Sequence, residues 1–461
     1  MITEKSVDLR QMLDAREKRM LRQRELISKY NAAVICFTMN IAGPVKNGAL
    51  IQRGFLYGQR ELIRHLSAIG AKRLHFESSS RDTGCEAFHV IDMPPARLKR
   101  IAVGIEDNSE IGRLFDIDVH APDMSQINRE ALGFKPRACL ICEKPAHECA
   151  RSRAHSIELL QEKTRAILKS ALDSHDAQTV AQQACRALLY EVCTTPKPGL
   201  VDCMNNGSHE DMDIFTFMSS ASALWPYFEK CALTGMRTAS QPAGDTFEAL
   251  RWEGERAEGI MFDATNGVNT HKGAIFSLGI VCAAVGRLER EDWSHPEIIL
   301  RECANMTRGI TNRDFEGVNV DNARTIGEKL YAEYGITGVR GQVEAGFPTV
   351  LEKGLPTLEG GLSRGLSVNE SGCAALLAIM SEATDTNLIS RGGIDVQRAV
   401  ASETCALLAK NPYPDVKMLI MMDEAFREKR LSPGGSADLL SICYFLHFIR
   451  ECAADYVINR A

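Results

Sequence analysis

The feature that most constrains how this chain folds is a change of pattern partway along it. In the earlier part, short runs rich in β-branched and aromatic residues, at 34–39, 86–92 and 100–106, predict strands between helical stretches. In the later part, nearly every segment has helical periodicity and is bounded by Gly, Pro or Asn. A chain of 461 residues is also too long for one ordinary core. We therefore predict two unlike domains, an α+β domain over 1–172 and an all-α, multihelical domain over 175–461.

The joint between the predicted domains falls within residues 169–176. This stretch is polar, and Ser174 or Asp176 has a side chain suited to capping the first helix of the second domain. We therefore expect a new helix to begin there.

Charge and cysteine content exclude several classes of function. The net charge of -6 argues against broad nucleic-acid binding, since neutralising phosphates requires clustered Lys and Arg. The longest apolar run, residues 274–286, is well short of the roughly 20 residues that span a bilayer, so it predicts a buried helix and no membrane association. The 15 cysteines are scattered and the first residues form no apolar signal core, which favours reduced thiols and a cytoplasmic location.

The most informative motif of the first part is an Asp-x-Asp pair within residues 112–119. Alternate residues of a strand share a face, so Asp116 and Asp118 would point the same way while their apolar neighbours pack into the core. Paired carboxylates suit Mg²⁺, which orients a triphosphate and neutralises the charge that develops during displacement at phosphorus. This is the chemistry of nucleotidyl transfer. The alternative is a solvent-facing strand edge that binds no metal.

Three cysteines and a histidine form a second candidate site. Cys139, Cys142, Cys149 and His155 offer the four ligands of a tetrahedral zinc ion. In a cysteine-rich chain, the alternative is a group of neighbouring thiols without metal. Arginines around the cysteines, Arg137 among them, could hold phosphates or the acidic surface that acyl carrier proteins present.

Four separated segments, 15–19, 43–47, 112–119 and 137–155, together resemble the citrate lyase holo-acyl-carrier-protein synthase family (CitX). The resemblance covers nearly all of the first predicted domain. It implies transfer of a phosphoribosyl-dephospho-CoA unit from its triphosphate to a serine of the apo acyl carrier protein, the gamma subunit of citrate lyase, with diphosphate leaving. The candidate substrate-binding residues within these segments are Arg16, Lys46 and Arg113.

Five polar segments lie between the predicted helices of the second part. Each alone is more typical of a turn than of a site. One of them opens the most apolar helix of the chain, whose free backbone amides would attract an anion. The five segments are residues 191–202, 205–213, 267–273, 385–393 and 432–438.

Together these segments resemble the triphosphoribosyl-dephospho-CoA synthase family (CitG), from about residue 177 to the end of the chain. The resemblance implies that 3'-dephospho-CoA displaces adenine from ATP, giving 2'-(5''-triphosphoribosyl)-3'-dephospho-CoA. The new ribosidic link is α where that of ATP is β, which indicates one direct displacement. Such a step needs a base for the attacking 2'-hydroxyl, stabilisation of an oxocarbenium-like ribose and a proton donor for adenine.

These requirements select the candidate residues of the second part. The candidates for the base or a metal ligand are Asp202, Asp211 and Asp385. The candidates to protonate the purine are His209 and His271, and those to hold the triphosphate with Mg²⁺ are Lys197, Lys272 and Arg391. The remaining candidate substrate-binding residues are Asn269, Asn387, Ser432, Gly434, Gly435 and Asp438.

Two other functions stay open at this point. A helical, carboxylate-rich site that cleaves ribose could belong to a purine-nucleoside or ADP-ribosyl hydrolase, which would act on ATP without dephospho-CoA. The first domain could instead be a zinc-stabilised module that binds the carrier protein and catalyses nothing.

Overall fold

The computed structural model describes residues 5–454, and the chain divides into two compact units, Met1–Ser174 and His175–Ala461. The first unit contains a four-stranded sheet with helices, and the second is built from helices over its described residues. The predicted layout, an α+β domain followed by an all-α domain, is confirmed. Among the described residues, no helix combines the length and the apolar character needed to cross a membrane.

The sheet of the first unit is antiparallel throughout. Its strands are β1 (Ala33–Met39), β2 (Lys72–Arg81), β3 (Gly84–Asp92) and β4 (Phe115–His120), in the order β2-β3-β1-β4. The interior strand β1 is buried along nearly its whole length because it has a neighbour on each side and helices above and below. Its register sets Thr38 opposite Asp116 and Cys36 opposite Asp118.

Helices cover both faces of this sheet. On one face, Leu26 and Ile27 pack against Val34 and Phe88. The larger core lies on the other face, where apolar side chains of two helices pack against the strands. The helices of this unit are α1 (Leu9–Tyr30), which packs on the first face, α2 (Ala49–Ala68) and α3 (Pro95–Asp107), which pack on the second, and α4 (Ala146–Ser152).

Residues 100–106 form part of α3, so the prediction of a strand there is wrong. A proline at the first position of α3 favours a helix start, and Leu98, Ala102 and Ile105 recur at helical spacing and are buried. The β-branched residues in this short run mimic a strand. The sheet instead gains β2, whose polar sequence gives little strand signal.

One helix, α5 (Ile157–Cys193), spans the predicted joint. The expectation that Ser174 or Asp176 caps a new helix is therefore wrong. The residues around them include no proline or glycine that would break a helix, and Asp176 forms a buried ion pair with Arg290 at 2.5 Å instead of capping.

The second unit packs around one large apolar core. The predicted buried helix at 274–286 is confirmed within α9 (Lys272–Arg287), where every one of those residues except Phe276 is buried. The other helices of this unit are α6 (Ile214–Ala223), α7 (Trp225–Thr238), α8 (Ala243–Ala264), α10 (Pro296–Thr307), α11 (Ile310–Asp314), α12 (Ile326–Tyr334), α13 (Gly338–Glu344), α14 (Leu355–Ser363), α15 (Val368–Met380), α16 (Thr386–Gly392), α17 (Ile394–Lys410), α18 (Val416–Glu428) and α19 (Gly434–Ala454).

Candidate functional sites

The second unit encloses a cavity of about 440 Å³, which is in the size range of small-molecule sites. Its walls come from the last turn of α5, the loop before α6 and the N-terminal ends of α9, α16 and α19. Loops far apart in sequence therefore meet around one space. The predicted residues that line it are Lys197, His209, Asp211, Asn269, His271, Lys272, Asp385, Asn387, Arg391, Ser432, Gly434, Gly435 and Asp438.

Asp385 joins two of these helix ends. One of its carboxylate oxygens accepts hydrogen bonds from the backbone N–H groups of Asn387 and Leu388, at 3.0 and 3.1 Å, and so caps α16. The other accepts from the backbone N–H and the hydroxyl of Ser436 in α19, at 2.7 and 2.9 Å. Burial raises the pKa of Asp385, while these hydrogen bonds act in the opposite direction. Because both oxygens are engaged, Asp385 has the contacts of an anchor between two helices.

Asp438, near the start of α19, reaches the N-terminal end of α9. Its carboxylate lies near the backbone N–H of Ala274, which acts to lower the pKa of the carboxyl group. The approach is so close that a Cβ atom at Gly273 would lie 1.9 Å from Asp438 Oδ2. Burial, with the charges of Glu191 and Asp385, raises the pKa of Asp438 well above its ordinary value. The helix end expected to attract an anionic substrate group therefore already holds a carboxylate.

A buried ion pair lies beside this carboxylate. Lys197 Nζ is 2.5 Å from Glu191 Oε1 and donates to the Glu191 carbonyl at 2.7 Å, and the lysine is only 1% exposed. Burial raises the pKa of Glu191, and the Lys197 charge lowers it. Since its ammonium group already has two acceptors, Lys197 is poorly placed to form an ion pair with a triphosphate.

The two predicted histidines both line the cavity but differ in their contacts. His271 Nδ1 lies 2.7 Å from Ser220 Oγ, whereas no described residue partners the buried Nε2 atom. Burial, with the nearby charge of Lys197, lowers the pKa of His271 to about 3. His209 Nε2 lies 2.9 Å from Ser432 Oγ, and burial likewise lowers its pKa. Both imidazoles are therefore neutral at pH 7, which weighs against either as a ready proton donor to the purine.

The remaining charged groups of the cavity reach solvent. Lys272 is paired with Glu258 at 2.7 Å and keeps a side chain that is 55% exposed. Arg391 donates to the backbone carbonyls of Ser208 and Arg430, both at 3.2 Å. Cations on exposed, adjustable side chains are suited to meeting an incoming phosphate chain.

Asp202 does not line this cavity. Its carboxylate accepts from the backbone N–H groups of Lys197, Met204 and Asn205, at 2.9, 2.7 and 3.1 Å. These bonds satisfy the amides of a tight, buried loop. The contacts of Asp202 are therefore those of a residue that shapes the loop.

In the first unit, Asp116 and Asp118 lie on one face of β4, while Phe115, Ile117 and Val119 are buried on the other. Burial and the neighbouring charge of Asp116 raise the pKa of Asp118. The two carboxylates are thus close enough to repel each other, and a divalent cation would relieve that repulsion.

Asp116 is connected to a second cavity, of about 400 Å³, through Arg137. Arg137 Nη2 lies 3.2 Å from Asp116 Oδ1 and 2.5 Å from Glu106 Oε1, and Arg137 lines the cavity together with Arg113. Two guanidinium groups on one concave surface favour binding of phosphate oxygens.

Arg16 and Lys46 do not line this second cavity. Lys46 Nζ donates to the Ile41 carbonyl at 2.5 Å. Burial and the charge of Arg16 lower the pKa of Lys46, which shows that the two cations are neighbours. The positions of these two residues do not test whether they bind substrate, so their role stays a prediction.

The predicted zinc ligands come together. One ligand atom from each of Cys139, Cys142, Cys149 and His155 lies within 4.8 Å of all the others. Apart from Cys142, these residues also line the cavity that contains Arg113.

Comparison with known families follows the two units. Residues 7–171 match the model of apo-citrate lyase phosphoribosyl-dephospho-CoA transferase (CitX), and residues 177–456 match that of ATP:dephospho-CoA triphosphoribosyl transferase (CitG). The chain belongs to the CitX and CitG families. It is a bifunctional transferase, and the resemblance to CitX and CitG seen in the sequence is confirmed.

Curated relatives join the CitX and CitG parts in the same way. The chain is 34% identical over 457 residues to Protein CitXG of Haemophilus influenzae, a match that covers 96% of each protein. It is 35% identical over 463 residues to Protein CitXG of Leuconostoc mesenteroides, covering 95% of this chain and 97% of that protein. It is also 38% identical over 285 residues to 2-(5''-triphosphoribosyl)-3'-dephosphocoenzyme-A synthase of Pectobacterium atrosepticum, covering 62% of this chain and 93% of that protein.

In the CitG part, sequence reasoning missed a charged residue of the cavity, Glu191. It lies at helical spacing from Ala184, Ala187 and Leu188, all of which are buried. A carboxylate in the apolar stripe of a helix is costly unless it is paired or functional. That interruption of the stripe was the available signal.

Proposed function

We propose that the two cavities carry out consecutive reactions. In the second unit, the 2'-hydroxyl oxygen of 3'-dephospho-CoA forms a bond to the ribose C1' of ATP, the bond from C1' to adenine breaks, and adenine leaves with a proton. In the first unit, the serine hydroxyl of the apo acyl carrier protein of citrate lyase attacks the phosphorus nearest the ribose, and diphosphate leaves. We expect both reactions in the cytoplasm, where the free thiols of the chain stay reduced.

The observation that carries the second-unit proposal is the meeting of separate polar loops around one cavity with buried carboxylates. An attacking hydroxyl needs a group that accepts its proton, and acceptors work best when their pKa lies near the working pH. Among the cavity carboxylates, Asp438 has a pKa raised well above its ordinary value and faces the cavity. We assign Asp438 as the proton acceptor.

The other carboxylates fit this role less well. Both oxygens of Asp385 accept hydrogen bonds from backbone or hydroxyl groups. Glu191 is held by the Lys197 ammonium group. The side chain of Asp211 is 64% exposed, so it is not enclosed by the cavity.

We further propose that this cavity binds Mg²⁺ with the triphosphate. Glu191, Asp385 and Asp438 place three carboxylates close together, and Lys197 is the buried cation beside them. Uncompensated buried charge is unfavourable, so three carboxylates around one buried ammonium group fit a divalent cation. When bound, it would neutralise phosphate charge, while Lys272 and Arg391 contact the outer phosphates.

His271 then orients the purine. With Nδ1 next to Ser220, the unpartnered Nε2 of His271 is available for a hydrogen bond to adenine. A neutral imidazole both donates and accepts. The proton that leaves with adenine therefore has to come from another group. That group is either water or Asp438 itself, once its carboxylate has accepted the proton of the 2'-hydroxyl.

In the first unit, the proposal rests on the carboxylate pair and the arginine-lined cavity next to it. The fit of Asp116 and Asp118 to Mg²⁺ follows from their shared face and mutual repulsion. Arg113 and Arg137 would hold the triphosphate of the intermediate. The serine proton passes to solvent, because both carboxylates of the pair would be ligands of the cation.

One assay tests both reactions. The purified chain is incubated with ATP, 3'-dephospho-CoA, Mg²⁺ and apo carrier protein, and free adenine and the mass of the carrier are measured. We expect adenine only when dephospho-CoA is present, and a carrier that gains the phosphoribosyl-dephospho-CoA mass. Release of adenine from ATP alone would favour a hydrolase, and an unmodified carrier that still binds the chain would favour a non-catalytic first unit.

The assignment of Asp438 is tested by Asp438→Asn, which keeps the shape of the side chain but cannot accept a proton. Loss of a general base lowers the rate by about 10²–10⁴-fold, so adenine release should fall by that factor. Asp395→Asn on α17 is the matched control, because that side chain is 96% exposed. Full adenine release by Asp438→Asn would remove this residue as the base.

A further inference from the structure

A compact loop in the first unit brings three sulfur atoms and a ring nitrogen together. Cys142 Sγ lies 3.5 Å from Cys149 Sγ and 3.4 Å from His155 Nε2, and Cys139 completes the set within 4.8 Å. Cys139 and Cys149 are buried, and the other two are half-buried.

These distances fit one tetrahedral ion better than they fit a disulfide. Zinc bonds of about 2.3 Å to sulfur and about 2.0 Å to nitrogen separate tetrahedral ligand atoms by roughly 3.5–3.8 Å. A disulfide would bring two sulfurs to about 2.05 Å. The observed separations around Cys142 therefore leave the space that a metal ion occupies.

The backbone hydrogen bonds of the loop also favour metal binding. Cys139 donates its N–H to the Lys144 carbonyl at 2.8 Å, which closes a tight turn over Cys142. Within this turn the backbone N–H of Ile141 points at Cys139 Sγ, at 3.5 Å. An N–H group aimed at sulfur stabilises the thiolate, the form of cysteine that binds metal.

We propose that Cys139, Cys142, Cys149 and His155 bind one structural Zn²⁺ ion. All four coordination positions come from the protein, which is the arrangement of structural sites, whereas catalytic zinc keeps a position open for water. Soft thiolates with one imidazole select zinc over magnesium or calcium.

The ion holds part of the arginine-lined cavity in place. Arg137 lies two residues before the first cysteine and contacts Asp116, and Arg113 donates to the Cys139 carbonyl. Fixing Cys139 therefore fixes the surroundings of both guanidinium groups. In this role the metal positions the groups that bind substrate and does not itself take part in the reaction.

The test begins with metal content, measured without substrates. The full chain, purified without chelator, should contain about one zinc ion, and replacement by Co²⁺ should give the visible bands of a tetrahedral site with thiolate ligands. Cys142→Ser and Cys149→Ser should each lower the zinc content at least tenfold. Cys405→Ser, at an exposed cysteine of α17, is the control and should keep it.

Two controls distinguish loss of the metal from misfolding of the chain: a conservative variant, and the activity of the second unit. His155→Cys gives four thiolates, a set that also binds zinc, and should retain the ion. The Cys142→Ser chain should lose carrier modification at least tenfold while adenine release by the second unit is unchanged. A purified chain that contains no zinc and takes up neither Zn²⁺ nor Co²⁺, or one in which Cys142 and Cys149 form a disulfide, overturns the proposal.

Failure of this inference is distinguishable from failure of the proposed reactions. Zinc present in a chain that never modifies the carrier would contradict the transferase proposal alone. Carrier modification by a chain that binds no metal at this loop would contradict the zinc site alone.

Discussion

Replacing Gly273 with alanine should disable the second unit without unfolding it. The added Cβ would lie 1.9 Å from Asp438 Oδ2 and 2.9 Å from Asp438 Cγ, where ordinary contact begins at 3.4 Å. The carboxylate must therefore retreat by roughly 1.5 Å to restore normal contact. It is the free end of a side chain, so it can rotate away while the backbone of α9 stays in place.

The size of the effect follows from that displacement. Misplacing a catalytic group by about 1 Å costs on the order of 10²-fold in rate, so adenine release should fall at least about 100-fold. Stability should change little, because alanine is favoured over glycine in a helix by about 0.5–1 kcal/mol. That gain offsets the cost of moving Asp438.

Adenine release from ATP and dephospho-CoA, followed by chromatography, gives the rate, and thermal unfolding gives the stability. Gly259→Ala is the matched control, because it lies in α8 on an exposed face with no atom within 4 Å of the new Cβ. It should leave the rate unchanged and raise the unfolding temperature slightly. If Gly273→Ala releases adenine as fast as this control, the position of Asp438 does not matter and our assignment fails.

Further predictions concern both units. Asp116→Asn with Asp118→Asn should lower carrier modification at least about 100-fold, with adenine release unchanged, since both ligands of the metal site are lost. The mass of the carrier measures the modification, and retained transfer would contradict the metal-assisted mechanism. Lys197→Met leaves Glu191 buried without its partner and should reduce the free energy of unfolding by about 3–5 kcal/mol in urea titrations, with Glu191→Gln restoring part of it; no recovery would mean that charge is not the cause. His271 has a pKa of about 3 in the folded chain, lower than its ordinary value of 6.5 because the ring is buried, so below pH 6.5 the unfolded chain binds a proton that the folded chain does not. Folding stability attributable to this neutral ring is therefore complete above pH 6.5 and falls as the pH drops toward 3; His271→Gln should gain about 1–3 kcal/mol relative to the unchanged chain between pH 7 and pH 4.5, and a difference independent of pH would contradict this.

Local pattern predicted the parts of the fold where one residue period dominates. The alternation around Asp116 gives one strand face directly, and the apolar run at 274–286 gives a buried helix. The run at 100–106 was misread because Ile101 and Val103 are common in strands, while the wider spacing of apolar residues that marks α3 becomes clear only over its full length.

The candidate sites were predictable as sets of loops and less so as individual roles. Polar loops ahead of apolar helices pointed to His209, Asp385 and the glycines near the start of α19, which do meet at one cavity. Which oxygens are already engaged depends on contacts between distant segments, such as those of Asp385 with Ser436. No local spacing in the sequence reveals these contacts. For the same reason, the sequence did not predict that Asp202 lies outside the cavity.

The unbroken course of α5 determines how the two activities can be separated. Its residues Ile167 and Leu168 belong to the core of the first unit, and Ala177 and Val180 belong to that of the second. Cutting the chain between these pairs would leave each fragment with a short piece of α5. The core residues of that piece would lie in a newly created, frayed helix end. A low rate of catalysis by such fragments could then result from the disrupted helix ends and not from the loss of the covalent connection. Fragments that each retain the entire helix therefore give the fairer comparison.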